Sequence, residues 1–308
     1  MGVPTFVMMC GLVGSGKTVK AQELAKQYDA TVFSSDSLRE ELFGDVNEQS
    51  RNQELFTELH KRIKDCLREG KSAIMDSTNI SYKKRMSFLA ELKNIPCKKI
   101  CVLMATPYEE CLRRNAERER KVSDEVINRM YRSIDISWYY EGWDEIQIIY
   151  ADGFENYLGN PYQFILDTED FNQDNPHHNL TLGKHCLNTF REISNSDYSM
   201  RALSVKYAAL LHDNGKVFTK QFKDSRGNDC EYAHYYNHER CGSYCSLFYK
   251  LEPFCDPLYV AVLIRWHMQP YFWEKDNNDK LQNKYKTLWG EKLYQDVMKL
   301  HEADRMNH

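Results

Sequence analysis

Short apolar runs alternate with longer amphipathic stretches through the first 150 residues. The apolar runs predict buried strands, and stretches with apolar residues three or four positions apart predict helices. The predicted strands are Thr5–Cys10, Ala30–Ser34, Ser72–Met75, Lys99–Met104 and Glu145–Tyr150. The predicted helices are Thr18–Tyr28, Leu55–Glu69, Lys83–Lys93, Tyr108–Arg118 and Ser123–Asp135. This alternation is typical of an α/β domain in which helices cover both faces of a parallel sheet.

The pattern changes after Tyr150. Residues 153–175 are rich in Asn, Asp, Gly and Pro and have no sustained period, so we predict a linker there. From residue 176 onward the periodicity is helical, and the clearest helices are Ala202–His212, His238–Tyr249, Leu258–His267 and Leu288–Asp304. The sequence therefore predicts an α/β domain over residues 1–152 and an all-α domain over residues 176–308. A chain of 308 residues has the length of about two domains.

Composition excludes several classes of protein. The formal net charge is −4, which is unlike the strongly basic field of proteins that bind duplex nucleic acid. No apolar run approaches the roughly 20 residues of a membrane span, and the first residues lack the basic leader and cleavage site of a signal peptide. Ten cysteines without a C-x-x-C pair favour free thiols in a reducing compartment. We expect a soluble, cytoplasmic protein that does not contact a membrane.

The first stretch with recognisable chemistry follows the first predicted strand. GLVGSGKT at residues 11–18 fits the pattern G-x-x-x-x-G-K-[ST] and opens a predicted helix. Glycines let backbone N–H groups turn towards phosphate oxygens, and the N-terminus of the helix adds a partial positive charge. We expect Lys17 to reach the β- and γ-phosphates of ATP and the Thr18 hydroxyl to ligate Mg²⁺. The predicted nucleotide-binding residues of this loop are Gly11, Gly14, Ser15, Gly16, Lys17 and Thr18.

Further polar residues follow the later strands. Asp36 comes after the second strand and can accept the proton of an attacking hydroxyl, if that strand neighbours the first. Arg39 shares a helix face with Asp36 and can bind a phosphate of the acceptor. Asp76 follows the third strand and is either a partner of Mg²⁺ or a turn cap. The basic run at residues 113–121 is either a segment that closes over the phosphates or a solvated helix face.

Residues 8–150 resemble the P-loop 5′-OH polynucleotide kinase family in the segments GLVGSGKT, SSDSLR, MDSTN and RRNAERERKVSDEVINRM. The resemblance implies an ATP-dependent kinase with Asp36 as general base and Arg39 as a ligand of the acceptor's phosphate. It also implies a lid arginine on the donor phosphates, either Arg118 or its neighbour Arg114. Small-molecule kinases share parts of this pattern, so the transfer reaction is better specified than its acceptor.

The second half of the chain contains nine of the ten histidines. An apolar helix ends in His212-Asp213, and adjacent His and Asp residues at a helix end can both bend towards one metal ion. His185 lies upstream, and three histidines and an aspartate lie downstream, namely His234, His238, His267 and Asp304. A single histidine is more often an ordinary core or surface residue, so the hypothesis of a metal site depends on the order of the whole set.

That order, H…HD…H…H…D over residues 176–305, resembles the HD-domain metal-dependent phosphohydrolases. The resemblance implies two divalent cations, the first held by His185, His212, Asp213 and Asp304 and the second by His238 and His267. It implies that His234 is either a ligand or a phosphate contact, and that Lys216 neutralises phosphate. The mixed nitrogen and oxygen ligands suit Mn²⁺, Fe²⁺, Co²⁺, Ni²⁺ or Zn²⁺ without choosing among them.

The whole chain resembles bifunctional HD-domain polynucleotide kinases, with the order of the two modules reversed. The resemblance implies healing of single-stranded or nicked RNA or DNA ends, with a ligase as the partner that acts afterwards. One module phosphorylates a 5′-OH and the other removes a 3′-phosphate or a 2′,3′-cyclic phosphate. Mild acidity favours an alternative, a small-molecule or nucleoside kinase fused to an HD nucleotide phosphohydrolase. A nucleotide-sensing module without turnover is the third hypothesis, and it predicts loss of HD ligands, none of which is missing.

Overall fold

The protein is described by a computed structural model that covers residues 2–151, 153–176, 178–193 and 199–307. The chain forms two compact units, each made of two segments. The first unit comprises Met1–Met130 and Ser137–Asp152, and the second comprises Tyr131–Ile136 and Gly153–His308. No helix in the described part of the chain is both long enough and apolar enough to cross a membrane.

The first unit contains a five-stranded parallel sheet with the spatial order β2-β3-β1-β4-β5. Its strands are β1 (Thr5–Cys10), β2 (Ala30–Ser34), β3 (Ser72–Asp76), β4 (Lys98–Ala105) and β5 (Glu145–Tyr150). The predicted strands are confirmed to within one residue at each end. The condition that β2 neighbours β1 is wrong, because β3 lies between them. Asp76 at the end of β3 is consequently closer in the sheet to the glycine loop than the residues after β2 are.

Six α-helices begin in the first unit: α1 (Lys17–Tyr28), α2 (Ser35–Phe43), α3 (Asn52–Arg68), α4 (Tyr82–Glu91), α5 (Tyr108–Glu117) and α6 (Asp124–Tyr131). Apolar side chains of the sheet and of α1 form a continuous core that includes Val7, Leu24, Ile74 and Val102. The prediction that α6 continues to Asp135 is wrong. The helix ends at Tyr131, and residues 131–136 belong to the second unit, where Asp135 forms ion pairs with Arg240 and Arg265.

The second unit is mainly helical. Its α-helices are α7 (Pro161–Asp167), α8 (Leu182–Glu192), α9 (Met200–Leu211), α10 (Lys216–Thr219), α11 (His238–Cys245), α12 (Pro257–Trp266), α13 (Gln269–Lys275) and α14 (Asp279–Arg305). The linker predicted over residues 153–175 contains α7, which packs against α8 in the same unit. Local capping explains this helix, because the side chain of Asn160 accepts a hydrogen bond from the N–H of Tyr162 and Pro161 occupies the first turn.

The all-α prediction for this unit is wrong in one respect. Strands β6 (Gln221–Lys223) and β7 (Asp229–His234) form an antiparallel hairpin, with Gln221 opposite His234. The Asp224 carboxylate closes the turn by accepting hydrogen bonds from the N–H groups of Arg226 and Asn228. Both strands are short and largely polar, so they lack the apolar alternation by which a strand is recognised in sequence.

Candidate active sites

The glycine loop lies between the carboxyl end of β1 and the start of α1. Gly14 and Gly16 have φ of 81° and 89°, a left-handed conformation that favours glycine. A side chain at Gly14 would also collide with the backbone, because its Cβ would lie 2.5 Å from the carbonyl oxygen of Cys111. Lys17 Nζ donates to the Leu12 carbonyl at 2.6 Å. Burial lowers the pKa of Lys17, and the charge of Asp76 opposes that shift.

A hydroxyl and a carboxylate meet beside this loop. Thr18 Oγ1 donates to Asp76 Oδ2 at 2.8 Å, which joins the first turn of α1 to the end of β3. Burial raises the pKa of Asp76, although the Thr18 hydrogen bond and the Lys17 charge oppose it. These two oxygens are the ligand types that Mg²⁺ takes from a protein when it also binds substrate phosphates. The pair therefore fits Mg²⁺, as predicted for both residues.

Asp36 lies in the first turn of α2 between two guanidinium groups. Its carboxylate is 3.2 Å from Arg39 Nη1 and 2.9 Å from Arg120 Nη1. Arg39 also donates to Asn52 Oδ1 at 2.8 Å, and Arg120 also donates to the Val46 carbonyl at 3.0 Å. Arg120 was predicted only as part of the basic run, and Asn52 was not predicted at all. A half-exposed carboxylate held between cations suits the orientation of an attacking hydroxyl.

Both candidate lid arginines lie close to the loop. Arg114 Nη1 would be 3.7 Å from a Cβ atom placed on Gly16, and its Nε donates to Glu110 at 2.6 Å. The charge of Arg118 acts on the pKa values of both Lys17 and Asp76. Arg118 is exposed just after α5, whereas Arg114 is partly buried on that helix.

The second unit gathers imidazole and carboxylate groups from five separate segments. Three sets have ligand atoms within 4.8 Å of one another: His185, His212 and Asp304; Asp213, His238 and His267; and Cys186, His212 and Asp213. All of these side chains are buried. Six of the seven predicted metal ligands are thereby brought together, although His185 and Asp304 are 119 positions apart in the chain.

The orientation of the four imidazoles tests whether this cluster fits a cation. Each Nδ1 lies 2.7–3.0 Å from a backbone carbonyl oxygen, which can only accept a hydrogen bond, so each Nδ1 carries a proton. The Nε2 atoms of neighbouring rings then face each other, at 3.0 Å between His185 and His212 and 3.3 Å between His238 and His267. Two facing lone pairs repel, and a shared cation or a proton relieves that repulsion. Fixed Nδ1–H groups are the usual support of metal-binding histidines.

Asp213 connects the two histidine pairs. Its Oδ2 lies 3.4 Å from His185 Nε2 and 3.3 Å from His212 Nε2, and its Oδ1 lies 3.2 Å from His238 Nε2. One carboxylate thus faces both pairs with different oxygens, which is the arrangement of a bridging ligand. On the first pair Asp304 Oδ1 lies 3.1 Å from His185 Nε2.

The electrostatics of the cluster favour bound positive charge. Burial alone would lower the pKa of His212, but Asp213 and Asp304 outweigh it and raise that pKa to about 10. Burial would raise the pKa of Asp213, but Lys216 and the histidines hold it well below its usual range.

Cys186 was not predicted as a ligand. Its pKa is raised well above the ordinary value by burial, which keeps the thiol protonated and makes it a poor ligand.

Lys216, for which the resemblance implies a phosphate contact, lies beside the histidine cluster. Its Nζ is 2.7 Å from Asp213 Oδ2 and also donates to Gln173 Oε1 at 2.8 Å. His178 Nε2 lies 3.2 Å from the same nitrogen. Gln173 and His178 therefore belong to the surroundings of the site, and the only sequence signal for them was the HH pair at 177–178. His177 lies outside the described residues.

His234 is not a member of any of the possible metal-binding groups among the described residues. The described geometry therefore gives no support to His234 as a metal ligand, and its alternative role as a phosphate contact stays a prediction. His234 lies at the end of β7, four positions before His238, in an extended segment and not on one helix face with it. Its ring stacks on Tyr236 instead, with 5.2 Å between ring centroids and 8° between ring planes.

Comparisons with known proteins each match about half of the chain or less. Residues 6–137 match a protein family described as AAA domain. An L-seryl-tRNA(Sec) kinase from Methanococcus maripaludis is 26% identical over 143 residues, which cover 45% of this chain and 55% of that protein. The chain therefore spans about half the length of this curated relative.

Solved structures resemble part of the chain weakly. A gluconokinase from Sinorhizobium meliloti is 10% identical and covers 49% of this chain and 84% of its own, with a TM-score of 0.35. The Pnkp1/Rnl/Hen1 RNA repair complex gives 18% identity, 42% and 43% coverage and a TM-score of 0.37. Scores this low do not establish a shared substrate. The loop geometry and the family match together identify the first unit as a P-loop domain.

Proposed function

We propose that the chain heals broken polynucleotide ends with two activities. The first unit transfers the γ-phosphoryl group of ATP to a 5′-OH end. The second unit is an HD-type phosphohydrolase that removes a 3′-phosphate or opens and removes a 2′,3′-cyclic phosphate. The observation that supports the proposal is that one chain holds both a glycine loop of the P-loop pattern and a cluster of buried imidazoles that face one shared carboxylate, Asp213.

The kinase step follows from the residues around the glycine loop. Backbone N–H groups of the loop and Lys17 hold the donor phosphates, and Arg114 and Arg118 add charge as the phosphoryl group moves. Asp36 orients the acceptor hydroxyl and accepts its proton, so that the oxygen attacks the γ-phosphorus while ADP leaves. Thr18 and Asp76 would hold Mg²⁺, which would neutralise charge on the phosphates when bound. Arg39 binds the phosphate that follows the 5′ nucleoside.

The acceptor is proposed to be a polynucleotide. Arg39 is buried and oriented by Asn52, so its guanidinium is fixed for a bidentate contact with phosphate and not free to fold elsewhere. The Methanococcus relative is named for a substrate hydroxyl attached to a tRNA, which supports an acceptor on RNA. A small-molecule kinase remains the alternative, and it predicts phosphorylation of free nucleosides or sugars.

The hydrolytic step uses the second unit. Divalent cations would be held by His185, His212, Asp304, His238 and His267, with Asp213 facing both positions. Bound there, they supply Lewis-acid activation of water and of the phosphoryl group. Lys216 neutralises a substrate phosphate oxygen at the edge of the cluster. Asp213 keeps the Lys216 ammonium in place through its 2.7 Å contact.

The test is to incubate the full chain with ATP, Mg²⁺ and Mn²⁺ and an oligonucleotide that has a 5′-OH and a 3′-phosphate. Separating the products resolves both ends, and RNA, DNA and a 2′,3′-cyclic end are compared in parallel. We expect a 5′-phosphate and a 3′-OH on one molecule. Phosphorylation of nucleosides at rates equal to the oligonucleotide would overturn the polynucleotide acceptor, and no phosphate release with any metal would overturn the hydrolase.

A further inference from the structure

The hairpin of the second unit ends directly beside the metal cluster. His234 closes β7, and Tyr236 follows two positions later with its ring parallel to the imidazole. Tyr235 between them turns towards the cluster. Its carbonyl accepts a hydrogen bond from His238 Nδ1 at 2.8 Å, and its hydroxyl donates to the Gln173 carbonyl. The stacked pair is therefore one residue away from a direct contact with a predicted metal ligand.

The two rings remain accessible. Tyr236 is 37% exposed and His234 is partly exposed, whereas the cluster histidines are buried. A stacked, solvent-facing aromatic pair is not required for the core of this unit, whose buried residues come mainly from α9, α12 and α14. Planar rings that are already parallel offer a preorganised π-face, which binds another flat ring with little further loss of conformational freedom.

The balance of charged side chains around the hairpin indicates which part of a partner molecule can bind there. Residues 220–236 contain equal numbers of basic and acidic side chains, namely Lys220, Lys223 and Arg226 against Asp224, Asp229 and Glu231. A neutral surface does not attract a phosphate backbone strongly, so the rings themselves must provide the binding energy. Stacking on a nucleobase has this property because every base has a π-face, whatever its sequence.

We propose that His234 and Tyr236 form a nucleobase platform for the nucleotide whose 3′-phosphate is removed at the metal cluster. The occupant is the unpaired base at the 3′ end of a single-stranded polynucleotide, since only an unpaired or terminal base exposes its face. The inference rests on the proposed hydrolase, and it adds how that site recognises a polynucleotide end. It also gives His234 a role in place of metal ligation.

The first experiment compares two oligonucleotides with the full chain loaded with Mn²⁺. Both carry a 3′-phosphate, but one ends in a normal nucleotide and the other in an abasic residue. Tyr236→Ala and His234→Ala should each raise the KM for the normal end by about 5- to 150-fold and leave kcat within about twofold. The abasic substrate should be hydrolysed equally by wild type and variants, and Tyr236→Phe should retain the wild-type KM.

Tyr232→Ala is the matched control, because Tyr232 is an exposed tyrosine of the same strand outside the stacked pair. We expect this variant to behave as wild type on both oligonucleotides. An equal loss on normal and abasic ends would mean that the rings only support the structure, and it would overturn the platform. An unchanged KM for the normal end in both alanine variants would also overturn it.

A binding experiment separates the platform from the proposed hydrolase. An oligonucleotide with 2-aminopurine at its 3′ terminus and a non-hydrolysable phosphonate reports stacking as fluorescence quenching, whether or not turnover occurs. We expect quenching by wild type and Tyr232→Ala, and loss of it in Tyr236→Ala. Quenching without hydrolysis of the natural phosphate would retain the platform and overturn the hydrolase. Hydrolysis without quenching would overturn the platform alone.

Discussion

The two units build their sites in opposite ways. The site of the first unit is built around a contiguous backbone loop, residues 11–18, to which other segments add side chains, and its proposed acceptor carboxylate, Asp36, is half-exposed. The site of the second unit is made of side chains from five distant segments, and its carboxylates and imidazoles are buried. We propose that both sites handle the same chemical group, a phosphate.

The difference follows from what each proposed reaction requires. Phosphoryl transfer from ATP needs positioning and donors that tolerate a substrate entering and leaving, which a loop and a few flexible cations provide. Activation of water by bound metal needs ligands fixed in orientation before the cation arrives, and burial with Nδ1–H hydrogen bonds to carbonyl oxygens provides that. We therefore expect the two sites to respond independently to mutation and differently to metal removal.

The largest expected effects come from removing one carboxylate from each site, which tests whether the two activities are independent. Asp36→Ala should lower 5′ phosphorylation by about 100- to 10,000-fold because the acceptor hydroxyl loses its proton acceptor, with 3′-phosphate release unchanged. Asp213→Ala should lower 3′-phosphate release and leave 5′ phosphorylation unchanged. Glu40→Ala, an exposed carboxylate on the same helix as Asp36, is the control and should leave both activities intact. If Asp36→Ala also lowered phosphate release, the two sites would not be independent.

The next largest effect concerns stability. Changing a buried ion pair of the first unit should lower the stability of that unit and leave the second unit unchanged. Arg85 and Glu141 form a fully buried ion pair with two contacts of 2.7 Å. Arg85→Met leaves the Glu141 charge buried without its partner, which should cost about 3–5 kcal/mol in the free energy of unfolding. Denaturant unfolding followed by a probe in each unit measures this effect.

The double variant Arg85→Met, Glu141→Gln is the matched comparison for that experiment. It removes both charges, and we expect it to recover most of the lost stability of the first unit. An equal destabilisation by the single and double variants would show that packing, and not the unpaired charge, dominates at this position.

Removing transition metal should lower the thermal stability of the second unit only. Adding Mn²⁺ or Zn²⁺ to chelator-treated protein at about 100 times its Kd should stabilise that unit by about 2.7 kcal/mol, because the cation binds only the folded cluster. Calorimetry should show the transition of the second unit moving to higher temperature and that of the first unit staying in place. His212→Ala should abolish the shift, whereas Tyr232→Ala should preserve it.

The smallest expected effect is the release of protons when metal binds to the histidine cluster. Without metal the pKa of His212 is raised to about 10, so its ring is protonated at pH 7. Metal binding requires a neutral Nε2 and must displace about one proton at pH 7. The apparent affinity should therefore rise as the pH increases from 7 towards 10. Titration calorimetry in buffers of different ionisation enthalpy measures the release, and no proton release would contradict the raised pKa.

Most of the first unit could be predicted from its sequence. Parallel strands buried on both faces give continuous apolar runs, and the glycine loop is a contiguous motif, so both are visible in a linear pattern. Asn52 and the role of Arg120 were missed, because they reach Asp36 and Arg39 from other segments. In the second unit, α7 and the hairpin were missed, since capping by Asn160 and a turn closed by Asp224 leave no hydrophobic period.

By itself, the sequence determined the glycine loop, the order of the strands along the chain and six of the side chains that meet in the histidine cluster. Only the tertiary structure decided that β3 lies between β1 and β2, that Asp213 faces both histidine pairs, and that His234 stacks on Tyr236 and joins none of the possible metal-binding groups of the described residues. The physical reason is that distances between residues far apart in the chain arise from packing, whereas local motifs carry their geometry in the backbone.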